Sequence, residues 1–148
     1  MPAAPPSPER PLHGSCLCGG VRYAITAPFR RANLCHCTRC RKHSGSVGSA
    51  QGRVPAAGFT LLAGAELLRV WRPADGGMAK VFCRVCGSSL FGGSWPDGEE
   101  VSVRLGPLDG DPGITIQFHS FASELAPWEV PYEDGLPRHD GPPPPRPR

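Results

Sequence analysis

Seven cysteines are the residues most able to do chemistry in this chain of 148 residues. They fall in three clusters. Cys16 and Cys18 form C-x-C, Cys35, Cys37 and Cys40 form C-x-C-x-x-C, and Cys83 and Cys86 form C-x-x-C followed by Gly87. Two thiolates on one tight turn can reach a common ion, and a glycine after the second lets backbone amides approach the sulfurs. A soft dication such as zinc suits a tetrahedron of such ligands at about 2.3 Å. A structural zinc takes four protein ligands, and a catalytic zinc commonly takes three with one position open. Seven therefore divides as four and three. One division joins Cys16 and Cys18 to Cys83 and Cys86 and leaves the triplet alone. The other couples a doublet to parts of the triplet, and spacing does not choose between them.

Other uses of these thiols fit less well. An odd count forbids complete pairing into disulfides, and the N-terminus has no apolar signal segment, which implies a reducing cytoplasmic setting. A thioredoxin-like role for Cys83 and Cys86 needs a βαβ context that the pattern lacks. The net charge of +3 is mild. Arginines are scattered rather than interleaved with aromatics, so nucleic acid is not an expected partner. No apolar run is long enough for a membrane helix. Oligomeric state is not legible.

The elements around the cysteines read as short strands. Val21, Tyr23 and Ile25 alternate with polar or small residues, as do Val101, Val103 and Leu105, and Ile114, Ile116 and Phe118. Short apolar runs at 59–62, 67–71, 79–82 and 88–91 end in turn residues. Turn signals recur every eight to twelve residues, which predicts an all-β fold of several short antiparallel strands. One short helix is expected from Thr38 to Ser44, capped by Thr38 and ended by Gly45. Prolines crowd both ends. The expected organisation is a disordered tail over 1–12, one zinc domain over 13–140, and a second disordered tail over 141–148.

Arg39, Arg41, Lys42 and His43 sit in and just after the triplet, where they would compensate thiolate charge or capture a substrate carboxylate. His36 lies between two of its cysteines and is a possible ligand. His43 and His119, the latter on an expected strand from Ile114 to Phe121, are candidate bases, although no base is assigned. Trp95 and Trp128 are candidate pocket walls.

Gly14-Ser15-Cys16-Leu17-Cys18-Gly19-Gly20-Val21 resembles the opening motif of the glutathione-dependent formaldehyde-activating enzyme (Gfa) family. Cys35-His36-Cys37-Thr38-Arg39-Cys40-Arg41-Lys42 with Ser44-Gly45 resembles its second motif, and Phe82-Cys83-Arg84-Val85-Cys86-Gly87-Ser88 its third. Arg104-Leu105-Gly106, Leu108-Asp109, Ala126-Pro127-Trp128 and Asp134-Gly135-Leu136-Pro137 are also similar. The resemblance implies a β-tent zinc fold. It implies two Zn2+ per chain, a structural one on Cys16, Cys18, Cys83 and Cys86 and a catalytic one on Cys35, Cys37 and Cys40. It also implies a carbon–sulfur lyase handling a thiol–aldehyde adduct such as S-hydroxymethylglutathione, with a glutathione-type thiol and an aldehyde as small-molecule partners. The alternative is a zinc-stabilised binding module without catalysis. The chain departs from the family pattern at Leu125, often a lysine, and at Val47-Gly48-Ser49, where an aromatic residue is common; both departures suggest an altered substrate pocket.

Overall fold

A computed structural model describes residues 3–130 and 133–145. Its strands are β1 (Leu12–Ser15), β2 (Arg22–Ile25), β3 (Arg31–Cys35), β4 (Ser49–Pro55), β5 (Phe59–Ala63), β6 (Leu68–Trp71), β7 (Ala79–Cys83), β8 (Ser89–Gly93), β9 (Glu100–Arg104) and β10 (Phe118–Ser120). One α-helix, α1 (Thr38–Ser44), has the span expected from the sequence. The fold is all-β, as the turn spacing implied.

The strands build two sheets. The smaller has the order β1-β2-β5 and the larger β10-β3-β4-β9-β8-β7-β6. Every pairing is antiparallel except β10 on β3. Successive strand residues face opposite ways, so one alternating sequence supplies both surfaces of a sheet. On β9, Val101 and Val103 are buried in the apolar core, whereas Ser102 and Arg104 face a cavity on the other side. On β7, Val81 and Cys83 join the core and Lys80 lines the cavity.

Residues from both sheets form one core, and Phe91 is its aromatic hub. Its ring lies edge-on to Tyr23, Phe59 and Trp95, with centroids 5.7, 4.8 and 5.1 Å away. Tyr23 also stacks on Phe59 at 5.2 Å. Such aromatic pairs add about 0.5–1.5 kcal/mol each beyond area burial. Gly14 lies opposite Tyr23 in the β1–β2 register, and a Cβ at that position would overlap the Tyr23 ring.

The structure corrects three expectations. Helix α1 is capped by Cys37, not Thr38: the Cys37 Sγ accepts from the Cys40 N–H at 3.3 Å. Gly45 ends the helix in the left-handed region, as expected. The expected strand from Ile114 to Phe121 shortens to β10, because the ladder with β3 begins only at Phe118. Finally, the described parts of both terminal segments lie against the domain. Leu12 is buried and pairs with Ile25, Pro6 is buried, and the Ala3 N–H donates to Asp111 at 3.2 Å. At the other end the Phe121 N–H donates to the Gly141 carbonyl at 3.0 Å, and Pro142 and Pro143 line the cavity. Proline's locked φ lowers the entropy lost when such a segment is pinned. Met1, Pro2 and 146–148, also assigned to the tails, lie outside the described residues.

Phe91→Ala should remove the hub of three aromatic contacts and lower stability by about 3–5 kcal/mol. Chemical denaturation of the two proteins, zinc-saturated, would measure this; a loss below about 1 kcal/mol would show that the core does not depend on this ring.

Candidate metal centres

The fold gathers the seven cysteines into two groups. Cys16, Cys18, Cys83 and Cys86 place all four sulfurs within 4.8 Å of one another, and so do Cys35, Cys37 and Cys40. This is the four-and-three division. Among the described residues, no histidine or carboxylate joins either group.

The four-cysteine group joins the β1–β2 turn to the β7–β8 turn. Cys16 and Cys18 are 3.4 Å apart and Cys18 and Cys83 are 3.8 Å apart, sulfur to sulfur. A tetrahedron with metal–sulfur bonds of about 2.3 Å has edges of about 3.8 Å, so the group fits a zinc-sized ion. All seven cysteines are free thiols. Backbone and hydroxyl donors surround this group, as thiolates require. Val21 N–H donates to Cys16 Sγ at 3.3 Å, and Ser88 Oγ lies 3.3 Å from Cys86 Sγ. The Ser88 contact leads in pulling the Cys86 thiol down to about 5. Burial works against ionisation of Cys16, but its Val21 and Cys18 contacts outweigh it and the thiol is lowered. Gly87, with φ 77°, lets the chain turn back into β8 after Cys86.

The three-cysteine group spans the end of β3 and the first turn of α1. It opens into a cavity of about 640 Å3. Lys80 and Arg104 line this cavity and are only 5% and 6% exposed. Lys80 Nζ donates to Cys40 Sγ at 3.2 Å. Arg104 donates to Gln51 Oε1 at 3.1 Å and to Ser102 Oγ at 3.0 Å. Neither cation has a carboxylate partner among the described residues. A buried cation is costly without a counter-charge, and here the sulfurs supply it. Cys40 is held down as thiolate by Cys35 and Cys37, with Lys80 adding to the effect. Cys37 and Cys40, followed by burial, push Cys35 up. Burial depresses the Arg104 pKa, while Cys40 opposes that shift.

A buried polar chain backs the triplet. Asp134, an acceptor only, requires the proton of His119 on Nε2, 2.6 Å away. His119 Nδ1 must then accept, so His36 donates to it from Nε2 at 2.8 Å. On its other side His36 Nδ1 faces Glu129 Oε1 at 3.6 Å. His36 and His119 are buried at 1% and 2% exposure. The chain holds the residue between Cys35 and Cys37 and thereby positions both sulfurs.

Several candidate residues take other places. His36 points into this polar chain rather than to the sulfurs. His119 belongs to the same chain and does not line the cavity, and neither does His43, whose Nδ1 is 3.0 Å from Ser89 Oγ. Burial lowers His43. Trp95 packs on Phe91, and Trp128 is 63% exposed. Leu125 and Val47-Gly48-Ser49 do not line the cavity either. Arg39 lines it but pairs with Asp75, and Arg41 donates to the Glu124 carbonyl at 3.0 Å. The cations on the cavity floor are instead Arg31, Arg53, Lys80 and Arg104, from four strands. The alternation in Val101-Ser102-Val103-Arg104 was the available signal for Arg104. Nothing local pointed to Arg31 or Arg53.

Asp134 is held below the usual carboxylate range by the Leu136 N–H and then by His119. A lowered carboxyl stabilises the fold above its unfolded pKa, and that stability is lost as pH falls through the folded value. Asp134→Asn should therefore melt below wild type at pH 7, and the gap should narrow towards pH ~2 as the carboxyl takes up its proton. A gap of equal size at both pH values would show that the Asp134 charge contributes nothing.

Comparison with known proteins places the chain in a family. Residues 11–124 match the family described as "Glutathione-dependent formaldehyde-activating enzyme". Two relatives carry the name "Putative glutathione-dependent formaldehyde-activating enzyme". One, from Halomonas elongata, is 33% identical over 93 residues, covering 58% of this chain and 59% of the relative. The other, from Emericella nidulans, is 27% identical over 127 residues, covering 82% of this chain and 64% of the relative. The chain thus spans less than two thirds of the length of either. A crystal structure of a Rhodobacter sphaeroides protein superposes with a TM-score of 0.56 at 25% identity, over 66% of this chain and 88% of that one. No described helix is long and apolar enough to cross a membrane. With both cysteine clusters assembled and more than half of its length matched, the chain belongs to the glutathione-dependent formaldehyde-activating enzyme family.

Proposed function

We propose that the cavity beside Cys35, Cys37 and Cys40 is the active site of a zinc-dependent carbon–sulfur lyase. Its substrate is a thiol–aldehyde adduct of the S-hydroxymethylglutathione type. In this reading the four-cysteine group holds a structural zinc, and the triplet holds a second zinc with one position open to the cavity. The observation that carries the reading is the pair of buried cations, Lys80 and Arg104, balanced by thiolates rather than carboxylates.

A dication on three thiolates, with one position open, would hold the substrate sulfur as thiolate or polarise the aldehyde oxygen. In the lyase direction the adduct's hydroxyl gives up its proton to water. The carbon–oxygen double bond forms, the carbon–sulfur bond breaks, and its electron pair stays on sulfur. Lys80 and Arg104 set a positive field against the negative charge that grows there. Holding thiol and aldehyde in one cavity makes the reverse addition effectively intramolecular.

Protein purified under reducing conditions should carry two zincs per chain. Cys35→Ser should carry one, keep the fold, and lose turnover of the adduct by about 100-fold or more. One zinc in both proteins, with no thiol–aldehyde turnover, would overturn the lyase reading and leave a zinc-stabilised binding module.

A further inference from the structure

In the lyase reaction proposed above, the adduct's hydroxyl releases a proton, and a base in the cavity must take it up for the carbon–oxygen double bond to form. Few lining residues can do so. Among the described residues that line the cavity, Glu124 is the only carboxylate, and no histidine joins it. The arginines stay protonated. Lys80 is a donor committed to Cys40 Sγ at 3.2 Å. The three cysteines are the metal ligands of the reading. The other polar lining groups are neutral amides and hydroxyls, which are poor proton acceptors.

Glu124 is held rigidly at the edge of the triplet. Its Oε1 accepts from the Thr38 hydroxyl at 3.0 Å and from the Thr38 N–H at 3.3 Å. Thr38 directly follows Cys37, so the anchor of the carboxylate adjoins a triplet cysteine in the chain. The Glu124 carbonyl accepts from Arg41 Nη1 at 3.0 Å. Its second carboxylate oxygen, Oε2, has no hydrogen bond, and no cation pairs with the carboxylate, among the described residues. The chain takes a strained path to put it there. Phe121, at the end of β10, has φ 52° and ψ 42°, and it is the only described residue other than glycine at positive φ. Bulky residues rarely occupy that region, and such strain collects at functional sites, where surrounding contacts hold it. Here the Phe121 N–H bonds to the Gly141 carbonyl at 3.0 Å and the Ala122 N–H to the His139 carbonyl at 2.9 Å. The turn at Phe121 leads into the single 3-10 turn Ala122–Glu124 and so onto α1. Capping Thr38 accounts for Oε1. It leaves Oε2 without a task.

We infer that Glu124 is the general base of this site, its Oε2 taking the adduct's hydroxyl proton through the one water that first receives it. The inference rests on the lyase reading for the reaction itself. In the lyase direction the adduct's O–H bond breaks and its proton ends on Oε2. The electron pair left on oxygen forms the carbon–oxygen double bond, and the carbon–sulfur pair stays on sulfur. In the addition direction the thiolate attacks the aldehyde carbon, and the protonated carboxyl returns its proton to the alkoxide. Oε1 keeps both bonds to Thr38 in either state, so the group does not turn away as its charge changes.

The test separates a base from a helix cap. Glu124→Gln keeps an acceptor oxygen for both Thr38 donors and removes the base. On the zinc-loaded full chain, zinc content, melting temperature and calorimetric affinity for S-methylglutathione, a thioether with no hydroxyl to deprotonate, should match wild type. The kcat for S-hydroxymethylglutathione should fall about 100-fold. In Glu124→Ala, added formate should restore part of kcat without raising the melting temperature. Wild-type kcat in Glu124→Gln would overturn the base and leave a cap. Loss of thioether affinity or melting temperature in step with kcat would overturn it too, because a structural role would then explain the loss. A wild-type protein that binds the thioether and turns over no adduct would overturn the lyase reading and the base with it. Turnover that survives Glu124→Gln overturns the base alone.

Discussion

Four sulfurs drawn within 4.8 Å of one another link the small sheet to the large one, and the rest of the structure depends on that link. Cys16 and Cys18 leave β1 and Cys83 closes β7, so the group ties the turn of one sheet to the turn of the other. A domain of this size has a modest core. Most of its strands are four or five residues long, too short to hold two sheets in one relation by pairing alone. Metal bound to such a group adds its binding free energy to folding. Val21 and Ser88, which donate to or contact these sulfurs, lie on the turns that carry the cysteines, so local backbone geometry and ligand chemistry support each other.

The large sheet separates two environments. Its apolar face packs with the small sheet around Phe91. Its polar face forms the cavity floor, where Lys80 and Arg104 are kept from water beside three sulfurs. Each strand serves both faces by alternation, so the rigidity gained on the apolar face also fixes the charges on the polar face. A catalytic or binding arrangement gains from such rigidity because its charges need no reorganisation when a ligand arrives.

The edge of this sheet is closed by a device specific to the C-terminal half. β10 lies parallel to β3 and is flanked in turn by residues 137–141, through backbone bonds at His119, Phe121, Ala122 and His139. That placement buries the His36–His119–Asp134 chain behind the triplet and brings Pro142 and Pro143 to the cavity. The terminal proline segment is thus part of the cavity wall.

The sequence by itself determined the cysteine clusters, the short helix and most strands, because these depend on local spacing. A C-x-x-C turn, an apolar alternation of two and a glycine at a helix end act within a few residues. Which cysteines make up the four and which the three remained open at that level, since which clusters meet depends on how strands of distant sequence order lie side by side. Tertiary structure also decided the roles of the charged residues. Arg39, Arg41 and His43 sit near the triplet in sequence, yet bond to Asp75, the Glu124 carbonyl and Ser89. Arg31, Arg53, Lys80 and Arg104, spread over 74 positions of sequence numbering, share one cavity because β3, β4, β7 and β9 belong to one sheet. His119 looked like a candidate base, and the fold instead buries it between His36 and Asp134. Electrostatic partnership is set by distance in space and by exclusion of water, and neither is encoded in any local stretch of residues.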